Sequence, residues 1–438
     1  MSKQNILSIL VSAIPLSYIL GTFIVNLNIL FIIIAGISLF TQGLKFKLLD
    51  IDKLIIIFFL YIIFTGAWNT FEILYIDKVE NHDFSIIIKS LLFTRYLLLY
   101  MAIRLFVDKD LINFKIILYS FSAFSLFVSL DIILQFYYGK DIFGIENPFK
   151  YKTTGPFYTE AIAGGFIQKF SFFLFFTFFV YSNIKNVKTK ILVLTLLFFI
   201  TTLSIILSGN RMPLLLFFLG VFLIFLSKKT LKKYILHILV LVFVMSALSI
   251  NSNSKLKTYY NSIYSHSKNM ISLYSYRIFG VGKDMEYYAR PFYVHEFDAG
   301  IATWKMNKII GGGLKSFRYN CPKRKIEPKY VSGKLSHQLQ RTTCNMHPHN
   351  YYLEILTDLG IVGIILFSFI IIQIIRKSYK STLYGKVQYI LSPFFYVFLI
   401  EIFPIRTSGS FFTTNNAIII FLFLATVVGL AKKSKLNK

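Results

Sequence analysis

Apolar residues in this chain come in long runs broken by short polar segments, with neither the alternation of strands nor the one-sided stripe of surface helices. Twelve runs stand out, with approximate limits 5–21, 23–41, 54–70, 86–106, 113–136, 161–182, 190–207, 212–227, 234–250, 359–375, 387–404 and 415–431. A helix needs about 20 mainly apolar residues to cross a bilayer. The pattern predicts an all-α polytopic membrane protein of about twelve transmembrane helices. The first two runs nearly merge, and the polar pair Asn26 and Asn28 is the expected split. One long polar stretch divides the chain. Residues 1–250 carry nine expected helices, 251–348 form a large loop expected to be partly helical, and 349–438 carry the last three. No small-residue cleavage site follows the first run, so it reads as a retained helix.

Composition agrees with the pattern: 55% of residues are hydrophobic and 15% charged, against about 25% charged in soluble domains. The net charge of +27 would suit a nucleic-acid binder, but the charges sit in clusters between apolar runs, as topology signals do. With the N-terminus in the cytoplasm, the inner segments hold 22 of the 47 Lys and Arg, among them Lys45, Lys188, Lys228, Lys377 and Lys432. The four short outer loops hold six. That asymmetry places both termini inside and residues 251–348 outside, which in a bacterium is the periplasmic side of the inner membrane.

The outer loop holds 16 Lys and Arg against 5 Asp and Glu. Long loops are exempt from the charge rule. The excess reads either as a basic soluble surface or as attraction for anionic lipid-linked substrates. Both cysteines, Cys321 and Cys344, fall in this loop. An oxidising compartment favours a disulfide between them.

Ionisable residues within or bordering spans are costly and mark function. Lys89, Asp131, Glu160, Lys169, Arg211, Glu401 and Arg406 gather toward the predicted outer ends, and Arg95 approaches the middle. A polar cavity open to the outside accounts for this distribution, as does snorkelling for Lys89 and Arg406. Asp50 and Asp52 form an Asp-x-Asp pattern on a short inner loop. With no other ligand candidates near them in sequence, they read as solvated surface.

The segments GGGLKSFRYNC from Gly311 and NMHPHNYYLEILTDLGIVGIILF from Asn345 carry a more specific signal. They resemble the O-antigen ligase and polymerase family, whose signature is His-Asn, nine residues, then Gly-x-x-Gly. Here these are His349, Asn350, Gly360 and Gly363. TTGPFYTEAIAGGF from Thr153, SGNRMPLL from Ser208 and SGSFFTTNN from Ser408 are similar to further family stretches, so the resemblance covers roughly residues 150–415. It implies a GT-C-like membrane fold. One departure is that HEFDAGIATWKMNKIIGGG lacks the Arg that relatives often carry. Arg290 or Arg277, upstream, is the candidate replacement.

The residues make chemical sense on their own. Pro348 and Asn350 mark the start of a helix expected to run unbroken to about Ile375, with Asn350 as cap. A histidine at a helix N-terminus is kept neutral by the dipole and can accept a proton. His349 is therefore the candidate base, and His347 its nearest competitor. Glu354 and Asp358 read as interfacial carboxylates, or as groups that orient His349 or pair with loop cations. Gly360 and Gly363 read as close helix packing.

The resemblance implies a glycosyltransferase that moves a glycan from undecaprenyl pyrophosphate to a hydroxyl, a lipid A-core sugar in the ligases. Arg211, then Arg95 and Lys89, are the candidate pyrophosphate cations, with Asn350, Arg290 and His347 as further substrate contacts. Pyrophosphate leaves without a general acid, so an inverting, metal-independent reaction without a cofactor is expected, among membrane lipids and with no nucleic acid. An O-antigen polymerase and a protein O-oligosaccharyltransferase share this chemistry. A lipid-linked glycan transporter is the alternative of a different class, and would carry charges through the inner halves and midplane.

Overall fold

The computed structural model describes residues 2–76, 84–149, 152–228, 232–281, 292–324, 344–385, 387–407 and 409–436. Among them the chain is helical throughout. In order, the helices are α1 (Lys3–Ser12), α2 (Ile14–Leu20), α3 (Thr22–Thr41), α4 (Asp50–Phe71), α5 (Ser85–Phe93), α6 (Arg95–Asp108), α7 (Phe114–Tyr138), α8 (Ala163–Tyr181) and α9 (Val187–Leu207). They continue with α10 (Arg211–Ser227), α11 (Lys232–Ser252), α12 (Ser254–Phe279), α13 (Phe292–Trp304), α14 (Phe317–Asn320), α15 (Tyr351–Leu383), α16 (Gln388–Glu401) and α17 (Thr414–Leu436). Each of the twelve apolar runs falls on helix. Among the described residues eight helical segments, α5 and α6 counting as one, are long and apolar enough to cross a membrane, or nine if the bent pair α1–α2 counts as one span. α10 and α16 are shorter apolar helices.

Burial explains the strength of the apolar pattern. The window of α17 is 89% buried, against 39% for α3 and 50% for α7. α17 is surrounded by protein, while most others turn one face to lipid, where Phe23, Leu60 and Leu192 stand exposed. Aromatic rings fill the interior. Phe121 of α7 meets Phe170 and Phe173 of α8 edge-on at 5.1 and 4.9 Å, a favoured ring geometry.

The helix ends sort into two faces. One gathers the lysine-rich segments: Lys377 pairs with Asp50, Lys432 with Asp108, and Lys433 with Asp110, while Lys228 donates to the Thr382 carbonyl. The other gathers Tyr18, Lys169, Arg211, Arg406, Asn416 and His347. The segments expected to share a side of the membrane thus meet in space.

Three expectations of local structure need correction. The first two runs part at Gly21 (φ 103°), a conformation glycine adopts freely, not at Asn26 and Asn28. Asn28 is buried inside α3 and donates to Ser17 Oγ at 3.0 Å, while the first run itself bends by 40° between α1 and α2. Asp52 is not solvated. It is fully buried and takes Arg104 Nε at 3.1 Å, Tyr100 Oη and the Leu49 amide, whereas Asp50 is exposed as expected. The helix that opens at Asn350 is not continuous, because Gly360 (φ 67°, ψ −166°) breaks α15. It then extends past Ile375 to Leu383.

Candidate functional site

The break at Gly360 organises one end of the molecule. It leaves the last carbonyls of the first part of α15 without intrahelical partners. The glycine loop supplies donors instead: Gly312 N–H bonds Thr357 O at 3.0 Å and Gly313 N–H bonds Asp358 O at 2.9 Å. Tyr61 Oη donates to Leu359 O at 2.9 Å. In return Ile361 N–H reaches Lys308 O at 3.0 Å. A Cβ at Gly360 would collide with the Ile309 carbonyl, and one at Gly311 with the backbone of residues 358–360. Asp358 completes the lock by accepting Lys315 N–H at 2.6 Å and Ser316 Oγ at 3.2 Å. The two glycine motifs are halves of one junction. Gly360 makes room for loop backbone rather than a neighbouring helix, and Gly363 for Leu359 of its own helix. This corrects the helix-packing reading.

The junction carries the histidines on the segment before α15. Asn350 caps that helix, accepting from Tyr352 N at 2.9 Å and Leu353 N at 3.1 Å. Its amide nitrogen donates to the Pro404 and Arg406 carbonyls, both at 2.8 Å. Both side-chain polar atoms are thus used inside the protein, which corrects its place among substrate contacts. His349 holds a positive φ of 51°, uncommon for a side chain of this kind. Its Nε2 lies 3.5 Å from Glu296 Oε1, on α13, and 3.4 Å from Asn345 Nδ2. Asn345 Nδ2 also donates to Glu296 Oε1 at 3.0 Å. Burial raises the Glu296 carboxyl to about 7 and lowers the His349 imidazole. The His347 ring lies against that of His349, with centroids 4.4 Å apart, and its Nε2 is buried without a hydrogen bond. Burial first, then His349, Arg318 and Lys315, bring His347 down to about 4.

Beside His347 opens a cavity of about 940 Å³, lined among others by Tyr18, Lys152, Glu160, Lys169, Arg211, Tyr293, Arg406 and Asn416. At its floor Glu401 takes Arg406 Nη1 at 2.9 Å and Lys169 Nζ at 3.7 Å. Lys169 also donates to Asn416 Oδ1 at 3.2 Å. Two cations therefore share one carboxylate. The loop at Thr153 leans on the turn before Arg211, with Thr153 Oγ1 donating to Leu207 O at 2.9 Å. Glu354 holds the opposite wall, accepting from Ser410 Oγ and Phe411 N, both at 2.6 Å.

Residues 196–368 match the family model described as O-antigen ligase. This segment is similar to the O-antigen ligase family. Members of that family are glycosyltransferase-like enzymes, ligases and polymerases. No curated protein matches the chain.

Within the O-antigen ligase segment lie Arg211, Glu296, the glycine loop, both histidines and the Gly360 junction; Lys169 and Arg406 lie outside it. The structure brings Arg211 and His347 to the cavity. His349 does not line it and stands one ring behind His347, which corrects the expectation that His349 faces the cavity. Arg95 and Lys89 do not line it either. Arg95 Nη2 bonds Tyr96 Oη at 3.0 Å, and Lys89 Nζ lies 3.3 Å from Tyr319 Oη. Arg290 lies outside the described residues, as does the Arg277 side chain. Glu354 and Asp358 are buried clamps of the wall and the junction, neither interfacial nor in contact with His349. Cys321 and Cys344 form a disulfide, with Cα atoms 5.5 Å apart.

Sequence reasoning counted Lys169 and Arg406 among the charges expected around an outward cavity without giving them a role, and it missed Glu296. Glu296 carried no signal, being one of five acids in a long loop.

Proposed function

We propose that the protein transfers a glycan from undecaprenyl pyrophosphate to a hydroxyl acceptor, a lipid A-core sugar, at the periplasmic face of the inner membrane. The observation that carries this reading is a histidine backed by a buried glutamate, one ring away from a large cavity beside which Lys169 and Arg406 share Glu401. The carrier's pyrophosphate sits in the cavity against Arg211, with Arg406 and Lys169 below. In this scheme the ring proton of His349 is on Nε2, toward Glu296 Oε1, so that Nδ1, which makes no hydrogen bond to the described residues, takes the acceptor's proton. The hydroxyl oxygen bonds to the anomeric carbon on the side opposite the leaving group. The carbon–oxygen bond to pyrophosphate breaks, its electron pair leaves with the carrier, and the anomeric centre inverts. Cations facing the departing charge lower the barrier. No metal enters this scheme.

Purified protein with a carrier-linked glycan, and separate core-lipid and peptide acceptors, tests the reading. Transfer to the core lipid supports the ligase, and transfer to peptide alone replaces it with a protein oligosaccharyltransferase. Elongation of the carrier-linked glycan itself makes it a polymerase. Absence of transfer to any of these overturns the enzyme reading. Sidedness is tested by cysteine labelling at Ser254, and a cytoplasmic Ser254 would overturn the periplasmic site.

A further inference from the structure

Of the deeply buried cations, Arg104, Lys169 and Arg406 each face a carboxylate, and Lys228 donates to the Thr382 carbonyl and Gln388 Oε1. Lys315, Arg318 and Arg95 are half-buried at the same end as the histidines, and none forms an ion pair among the described residues. The Nε atoms of Arg95 and Arg318 are buried with no hydrogen-bond partner among the described residues. Lys89 joins them, its Nζ 5.1 Å from the centre of the Tyr319 ring, one residue along from Arg318. Burial lowers the Lys315 ammonium, with Arg318 and Arg95 adding to the effect and Glu354 and Asp358 opposing it. Both of those carboxylates are already engaged by backbone and hydroxyl donors.

Gathering like charges costs Coulomb energy. Here the arrangement is also held in a sparsely populated backbone region, since Lys315 has φ 59°. An anion between these side chains would offset the repulsion and satisfy the idle donors. The four cations are absent from the cavity lining. Arg95 touches the wall from behind, at 3.4 Å from Thr414 Oγ1. Arg318 and Lys315 are among the charges that act on His347, which does line the cavity. The histidines therefore have one cationic region on the cavity side and a second outside it.

We propose that Lys315, Arg318, Arg95 and Lys89 form a second anion subsite that holds a phosphate or carboxylate carried by the glycan acceptor. This rests on the transferase reading above and adds the class of acceptor to it: an acidic glycan, oriented by its charge so that its hydroxyl meets His349.

The test uses full-length protein in neutral detergent, with lipid A-core acceptor in native and dephosphorylated form. Binding is measured without donor, then transfer with it. Arg318→Gln should weaken binding of the native acceptor about 10- to 100-fold, as for loss of charge-assisted hydrogen bonds. The dephosphorylated acceptor should bind variant and wild type alike. In transfer, the acceptor KM should rise by the same factor while kcat and the donor KM hold. Arg318→Lys should recover part of the loss, and Lys89→Gln, at a half-exposed position, should reproduce it if Arg318→Gln misfolds. Equal losses on both acceptors, or a shift in the donor KM instead, would overturn the subsite. So would competition by phosphatidylglycerol as strong as that of the acceptor, which would mark a lipid headgroup site. Charge-dependent acceptor binding without transfer would sink the transferase reading alone. Transfer indifferent to acceptor phosphate would sink the subsite alone.

Discussion

Arg104 and Arg406 are both arginines buried against a carboxylate and an aromatic face, one toward each end of α17. Arg104 meets Asp52 through Nε at 3.1 Å and lies over Phe46. Arg406 meets Glu401 at 2.9 Å and lies over Tyr351. Asp52 is further occupied by Tyr100 and the Leu49 amide, with one cation for one carboxylate. Glu401 serves two cations and borders a cavity of about 940 Å³. The pair at the lysine-rich end is closed, so its worth lies in stability. The other places two cations on one carboxylate beside a cavity, which suits an anionic ligand. Buried charge alone does not separate these roles; stoichiometry and an adjoining void do.

The largest expected effect lies at the open end. His349→Ala should cut transfer by about 10²–10⁴-fold, the usual cost of losing a general base, with thermal unfolding in detergent unchanged. His347→Ala should cost clearly less. Normal transfer by His349→Ala would remove it as the base. At the closed end the loss should appear in stability instead. Asp52→Asn leaves Arg104 buried without its counter-charge, and breaking a buried pair costs about 3–5 kcal/mol. Thermal unfolding would show this, while activity per folded molecule should hold. A stable but inactive Asp52→Asn would erase the contrast between the ends.

Arg211 sharpens the comparison within the cavity. Arg211→Ala should lose most transfer, while Arg211→Lys, which keeps charge but not the planar fork, should retain part. Kinetics at matched expression would decide, and wild-type rates in Arg211→Ala would take it out of the site. The smallest effect is on pH dependence. Glu296 orients His349 only as a carboxylate, and its carboxyl is raised to about 7. Transfer should therefore fall as pH drops through about 7, before His349, whose own value is lowered, takes up a proton. Asn345, His347, Arg318 and Lys315 are the other polar groups near this pair. Glu296→Gln should be slower and should lose the limb near 7. An unchanged profile in that variant would leave Glu296 as a packing residue.

The histidine pair shows how far the sequence was legible. The His-Asn-x9-Gly-x-x-Gly spacing marked the right segment, and Asn350 caps the helix as a residue of its type should. The spacing could not say which histidine lines the cavity, because one turn of backbone at φ 51° decides it. Gly360 and Gly311 looked like separate motifs in sequence. Each supplies the room the other's backbone needs, a relation that exists only once 308–313 lies against 357–362. Asp52 was misread for a similar reason, since its partner Arg104 is 52 positions away.

What the chain determined by itself was the position of its helices and the side on which its lysine clusters gather. Apolar runs long enough to span a bilayer made helices, and lysine clusters marked the ends that meet on one face. The tertiary structure decided which of the scattered charges were matched. Glu296 with His349, Lys169 and Arg406 with Glu401, and a Lys315 ammonium without an ion pair among the described residues follow from packing between distant helices and loops. Burial makes such matching costly or valuable, and burial is a property of the folded whole.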